Sequence, residues 1–173
     1  MLIDQLKQIS TKKGDLGQSR NYNNEVFDKD NIIFETLGSI DELSSFLGLT
    51  YHEKPLEMIK RIQTDLQHVN SLVATSPNSD LYARLTKIEE QHVVYLELEI
   101  QSLLDQAPLS NQFYLPGSEK SKIGAYFDVC RTLARKSERC IVRFVKEHQR
   151  TDFSFINQYI NRLSDLLFLM SFK

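Results

Sequence analysis

Residues 119–148 read EKSKIGAYFDVCRTLARKSERCIVRFVKEH, with no proline and a single glycine, Gly124. At the helical repeat, Gly124, Phe127, Val142 and Val145 fall near one line. Val129, Leu133, Cys140 and Phe144 fall broadly opposite. A helix that is apolar on two sides is covered from two sides. This segment therefore predicts a central helix in a many-helix packing, with either another helix or another subunit on its second face.

Four further helices are read outward from it. Ile40, Leu43, Phe46 and Leu47 predict one over 38–50, with Ser39 and Glu42 spaced as a capping box. Ile59, Ile62, Leu66, Val69 and Val73 form the stripe of a helix over 55–75, opened by Pro55. Leu81, Leu85, Ile88, His92, Leu96 and Leu103 form that of a helix over 79–104. The last predicted helix, 153–171, has Asp152 as N-cap and Phe155, Tyr159, Leu163, Leu166 and Met170 as its core face. Residues 105–118, DQAPLSNQFYLPGS, form a connection, and residues 1–35 read as largely non-helical. The expected fold is all-α, a five-helix bundle of ferritin-like topology. The expected organisation is one domain over 1–173, with an N-terminal loop region at 1–35 and the helical bundle at 36–173.

Composition agrees. The chain has 173 residues, 41% of them hydrophobic and 25% charged, with only 6 glycines and 4 prolines, which favours long regular elements. With 21 basic and 23 acidic residues the net charge is −2, unlike the basic footprint of a nucleic-acid binder. No apolar run reaches the ~20 residues of a membrane span. MLIDQLKQIS lacks the basic and apolar regions of a signal peptide. The expectation is a cytoplasmic protein with neither membrane nor nucleic acid as partner. Cys130 and Cys140 lie about 15 Å apart along one helix, too far to bridge.

The polar groups narrow the chemistry. Arg131 and Arg135 share one helix face with Glu138 a turn further on. Two arginines four residues apart suit a phosphate or carboxylate beside them, although an ordinary solvated charged face has the same composition. Asn161, Arg162 and Asp165 are spaced to meet one another in a polar network or a ligand site. In KKGDLGQS, Gly14 and Gly17 flank Asp15 and allow the backbone to curl around an anion, as a plain turn also does. Asp65-x-x-His68 and Glu89-x-x-His92 raise a di-iron bundle. Only the second pair faces inward, however, with His68 placed toward solvent, so no metal site is assigned.

Four segments, in order, carry a resemblance over nearly the whole chain. Thr11-Lys-Lys-Gly-Asp-Leu-Gly-Gln-Ser19 is similar to a loop of the form TxxGDxG[TS]. Phe34 through Gly48, FETLGSIDELSSFLG, is similar to VEAYGxVDELNSxLG. Phe113-Tyr-Leu-Pro-Gly117 and Arg131-Thr-Leu-Ala-Arg-Lys-Ser-Glu-Arg139 are similar to FxLPGG and ARxxxRRAER. Tyr159-Ile-Asn-Arg-Leu-Ser-Asp-Leu-Leu-Phe168 is similar to YLNRLSDxLF. These are motifs of the PduO-type ATP:cob(I)alamin adenosyltransferases, which the chain resembles.

The resemblance implies transfer of the 5′-deoxyadenosyl group of Mg-ATP to Co(I) of a reduced corrinoid, such as cobalamin or cob(I)yrinic acid a,c-diamide, with release of triphosphate. It implies a homotrimer with active sites between subunits, a corrinoid reductase upstream and an adenosylcobalamin-dependent enzyme downstream. Thr11, Gly14, Asp15, Gly17 and Ser19 would cradle the triphosphate, with Lys29 and Arg135 in contact with it. Glu138 and Asn161 would place the nucleotide or its Mg²⁺. Asp41 would pair with Arg131 across the interface. Phe113 would pack beneath the corrin and exclude the lower ligand. The chain departs from the family pattern at Ser118, Asp128 and Lys136, and at Asn21-Tyr-Asn-Asn24. The departures at 118, 128 and 136 motivate, as the alternative to an active enzyme, a homologue that binds nucleotide and corrinoid with little turnover.

Overall fold

The structure is a computed structural model that describes residue 12 and residues 14–106 and 114–173. It opens on a hairpin of β1 (Gln18–Arg20) and β2 (Val26–Asp28), antiparallel, with Ser19 opposite Phe27. Helices follow: α1 (Ile32–Glu53), α2 (Glu57–Val73), the single turn α3 (Asp80–Ala83), α4 (Glu90–Gln106), α5 (Lys122–Glu147) and α6 (Ser154–Met170). Five of them are long, as an all-α five-helix bundle requires.

α5 is the central helix. It packs against both α1 and α6 and buries Phe127, Cys130, Ala134, Ile141 and Phe144 between them. α1 runs antiparallel to it, tied by Ser137 Oγ donating to the Ser39 carbonyl at 2.9 Å and Thr36 Oγ1 donating to the Cys140 carbonyl at 3.3 Å. At the other end of the pair, Gly124 lies against the end of α6. A Cβ there would fall 2.3 Å from the Ser171 carbonyl oxygen, so this close approach requires glycine. Each of the two predicted apolar faces is partly bare within one chain, since Val142 on the first and Val129 on the second are both 37% exposed.

Several boundaries differ from the sequence reading. α1 starts at Ile32, because Asn31 Oδ1 accepts from the Ile33 amide and both isoleucines enter the core. Ser39, read as the cap, sits inside the helix and donates to the Thr36 carbonyl. α2 begins two residues after Pro55. The single helix expected over 79–104 is broken. Ser79 caps one turn, after which Lys87 Nζ donates to the Tyr82 carbonyl and the chain runs without regular structure to Glu89. His92 Nδ1 then accepts from the Glu89 amide and restarts the helix. Asp152 does not cap α6. Its carboxylate turns back to Arg150, which donates from Nε and Nη2 at 2.8 Å each. Phe155, expected in the core, is 38% exposed.

Candidate functional site

The N-terminal loop is shaped by short backbone bonds. Asp15 donates its amide to the Lys12 carbonyl and Gly17 to that of Gly14. Gly17 takes φ +79°, which lets the chain reverse into β1. The Lys29 amide then donates to the Gly17 carbonyl at 2.8 Å, closing the open end of the hairpin. The Lys29 ammonium reaches back over Gly14, and a Cβ at Gly14 would stand 2.9 Å from Nζ. Gly14, Asp15, Gly17, Ser19 and Lys29 thus belong to one loop, with a lysine charge lying against its backbone. Thr11 lies outside the described residues, as does Phe113.

The second group lies on facing turns of α5 and α6. Arg131, Arg135, Ser164, Asp165 and Phe168 line a cleft of about 190 Å³. One turn along, Asn161 Nδ2 donates to Glu138 Oε1 at 3.0 Å. Asn161 Oδ1 accepts from Arg162 Nη1, and Arg162 Nε donates to Glu97 Oε1. Arg135 is exposed and holds no hydrogen bond or ion pair among the described residues. The Asp165 carboxyl is raised above its usual range, mainly by burial and further by Glu138, while the charges of Arg162 and Arg135 pull it down. A cleft with an uncommitted guanidinium beside an exposed carboxylate is suited to an anion that brings its own cation.

Asp41 stands apart from that cleft. It projects from α1 toward α2, where Asn70 Nδ2 donates to its Oδ1 at 2.7 Å beside a polar groove of about 510 Å³. Arg131 gives its Nε to Asp128 Oδ1 at 2.7 Å, one turn back on its own helix. Asp41 and Arg131 therefore hold different partners within one chain. Lys136, at the family's second arginine, points away from the cleft and pairs with Glu42 of α1 at 2.7 Å.

Asn70 was not singled out in the sequence. It lies on the polar edge of a helix otherwise read for its apolar stripe, and no spacing rule pairs positions 41 and 70. Asp128 was legible as a neighbour of Arg131, because residues three apart on a helix meet.

The candidate metal pairs resolve differently. Asp65 is buried and accepts a 2.9 Å hydrogen bond from the Tyr159 hydroxyl. Its other oxygen is 3.9 Å from His92 Nε2, so two groups read as separate ligand pairs meet each other. His68, placed toward solvent in the sequence reading, is half-buried, and its Nδ1 lies inside without a partner. Among the described residues no three His, Cys, Asp or Glu side chains converge on a metal-sized site. No helix among them is long and apolar enough to cross a membrane.

Comparison with known proteins bears on this arrangement. A family model described as cobalamin adenosyltransferase matches residues 9–173. The corrinoid adenosyltransferase MMAB of Mus musculus is 36% identical over 174 residues, spanning 96% of this chain and 72% of that protein. The corrinoid adenosyltransferase of Bacillus subtilis is 31% identical over 170 residues, spanning 93% and 83%. A variant of the PduO-type ATP:corrinoid adenosyltransferase from Lactobacillus reuteri, complexed with cobalamin and ATP, superposes with a TM-score of 0.83. It is 29% identical and spans 94% of this chain and 91% of that one. With the match running through the loop, both arginines and the Asn161 turn, the chain belongs to the cobalamin adenosyltransferase family.

Proposed function

We propose that this chain transfers the 5′-deoxyadenosyl group of ATP to the Co(I) of a reduced corrinoid, in sites formed between subunits of a homotrimer. The observation that carries the reading is the exposed, uncommitted guanidinium of Arg135 in the α5–α6 cleft, one turn from the Glu138–Asn161 pair. Cobalt is here part of the substrate. Its electron pair forms the Co–C5′ bond as the C5′–O bond breaks, and triphosphate departs with the bonding electrons. Such a nucleophile needs no general base from the protein. The chain's task is alignment and stabilisation of charge on the leaving group.

Arg135 meets the triphosphate, and Lys29 with the Gly14–Ser19 loop holds its other side. Glu138, held by Asn161, would offer an oxygen donor to Mg²⁺. When bound, Mg²⁺ neutralises charge on the triphosphate. The loop and the cleft are separate features of one chain, and neither contributes to the lining of the other. That separation supports a site built from the loop of one subunit and the helices of its neighbour. Asp41 and Arg131 pair across the same boundary, and Phe113 packs under the corrin. The corrinoid is cobalamin or a precursor of the diamide type.

Anaerobic incubation of reduced cobalamin with Mg-ATP yields adenosylcobalamin, read from its absorption spectrum. In a parallel reaction the diamide precursor ranks the substrates. Arg135→Ala lowers kcat by about a hundredfold or more, with the folded fraction unchanged. A folded protein that gives no product under full reduction rules the activity out.

A further inference from the structure

We propose that Asn23 is a positioning residue for the nucleotide: it latches the tip of the β1–β2 hairpin onto the bundle and thereby fixes the Gly14–Ser19 loop. The inference rests on the assignment of that loop to ATP made above. A ladder of three residues per strand is too short to stand alone in water. What orders it must come from its two ends. The open end is closed by the Lys29 amide on the Gly17 carbonyl and continues through Asn31 into α1.

The tip is held on the segment after α2. Asn23 Oδ1 accepts from the Ser76 amide at 2.6 Å, and the Tyr22 amide donates to the Ala74 carbonyl at 2.8 Å. The tip is itself preshaped for this contact. Asn21 Oδ1 accepts from the amides of Asn23 and Glu25, and Asn24 takes φ 63°. The receiving segment is in turn braced from inside, where Arg150 Nη1 donates to the Leu72 carbonyl and the guanidinium binds Tyr82 and Asp152.

Asn21-Tyr-Asn-Asn24 is one of the stretches that departs from the family pattern. A loop carried on a hairpin clamped at both ends meets the triphosphate without first being ordered, and that saving appears in ATP affinity. Releasing the tip leaves the helices packed while the loop samples other positions.

The test compares wild type, Asn23→Ala and Asn23→Asp, the last retaining an acceptor oxygen. Two readouts are taken: steady-state constants for Mg-ATP and for reduced cobalamin, and amide hydrogen exchange across the chain. Asn23→Ala is expected to raise the KM for ATP about five- to tenfold, the usual worth of one hydrogen bond. Its kcat and cobalamin KM stay within twofold of wild type, and exchange quickens over residues 14–29 but not in α1, α5 or α6. Asn23→Asp restores both quantities. Unchanged ATP KM and unchanged loop exchange in Asn23→Ala overturn the latch, as does a change spread over all constants and all helices. If wild type turns over no ATP, the activity reading fails, and the exchange arm alone decides the latch.

Discussion

Arg131 gives its Nε to Asp128 and keeps its terminal nitrogens outside that bond. Asp41, on another helix, gives one oxygen to Asn70. If the two groups meet only between subunits, a double-mutant cycle on kcat/KM for Asp41→Ala and Arg131→Ala shows a coupling of about 1 kcal/mol or more, despite their separation within the chain. Additive effects would mean that they never touch. A second residue-scale expectation concerns acid. The Arg150 guanidinium beside Asp152 holds that carboxyl down to about 2, against partial burial that pushes it up. Its folded value lies below its unfolded one, so the contribution to stability is present above about pH 4 and lost as pH falls through about 2. The difference in Tm between wild type and Asp152→Asn therefore narrows between pH 4 and pH 2. The Asp152 carboxylate is part-exposed, which keeps this effect small. Burial pushes the Cys130 thiol up to about 11, whereas Cys140 is only half-buried. A thiol reagent at neutral pH labels Cys140 in the native protein and reaches Cys130 only on unfolding.

Among the elements, the α5–α6 junction is the most sensitive point. Gly124→Ala puts a methyl group against the Ser171 carbonyl, a backbone atom that cannot swing aside. The expected loss is about 1–3 kcal/mol, read as a lower Tm in a variant whose loop and cleft residues are untouched. Much at this scale was visible in the sequence. The apolar stripes of α2 and α5 gave their existence and their buried faces, because burial imposes the helical period on residue choice. The missed boundaries have more than one cause: local bonds at Asn31 and His92 set two helix starts, and Asp152 found a partner far along the chain in Tyr82. Asp152 was spaced to cap α6 but binds Arg150 and Tyr82 instead, and Tyr82 lies in the α3 turn. Ser39 resembled a cap, but its hydroxyl turns to the Thr36 carbonyl inside α1, while its backbone carbonyl accepts from Ser137 of α5. Periodicity carries no information about such long-range bonds. The hairpin was illegible for a different reason, since its strands are three residues long and its order comes from the docked tip.

At the scale of the whole molecule, the site motifs were legible only as a family resemblance. The structure shows why spacing could not assemble them: loop, cleft and Asp41 occupy three separate places on one chain. If subunits complete the site for one another, two inactive variants complement. Mixing unfolded Lys29→Ala and Arg135→Ala chains in equal amounts and refolding them together restores activity to about a quarter of the sites, because a wild-type loop then faces a wild-type cleft in that share of interfaces. No recovery above either variant alone would place the whole site in one chain.

The pairing of α1 with α5 has a consequence in time. Ser39 and Ser137 touch across 98 residues, and Thr36 and Cys140 across 104. While the chain is being made, α1 can dock on α2 long before α5 exists to cover its other flank. The nascent chain therefore passes through a stage with Ile40, Leu43 and Leu47 incompletely shielded. Contacts of such sequence separation slow the final step of folding. That waiting period, rather than the finished bundle, is when this protein is most exposed to aggregation.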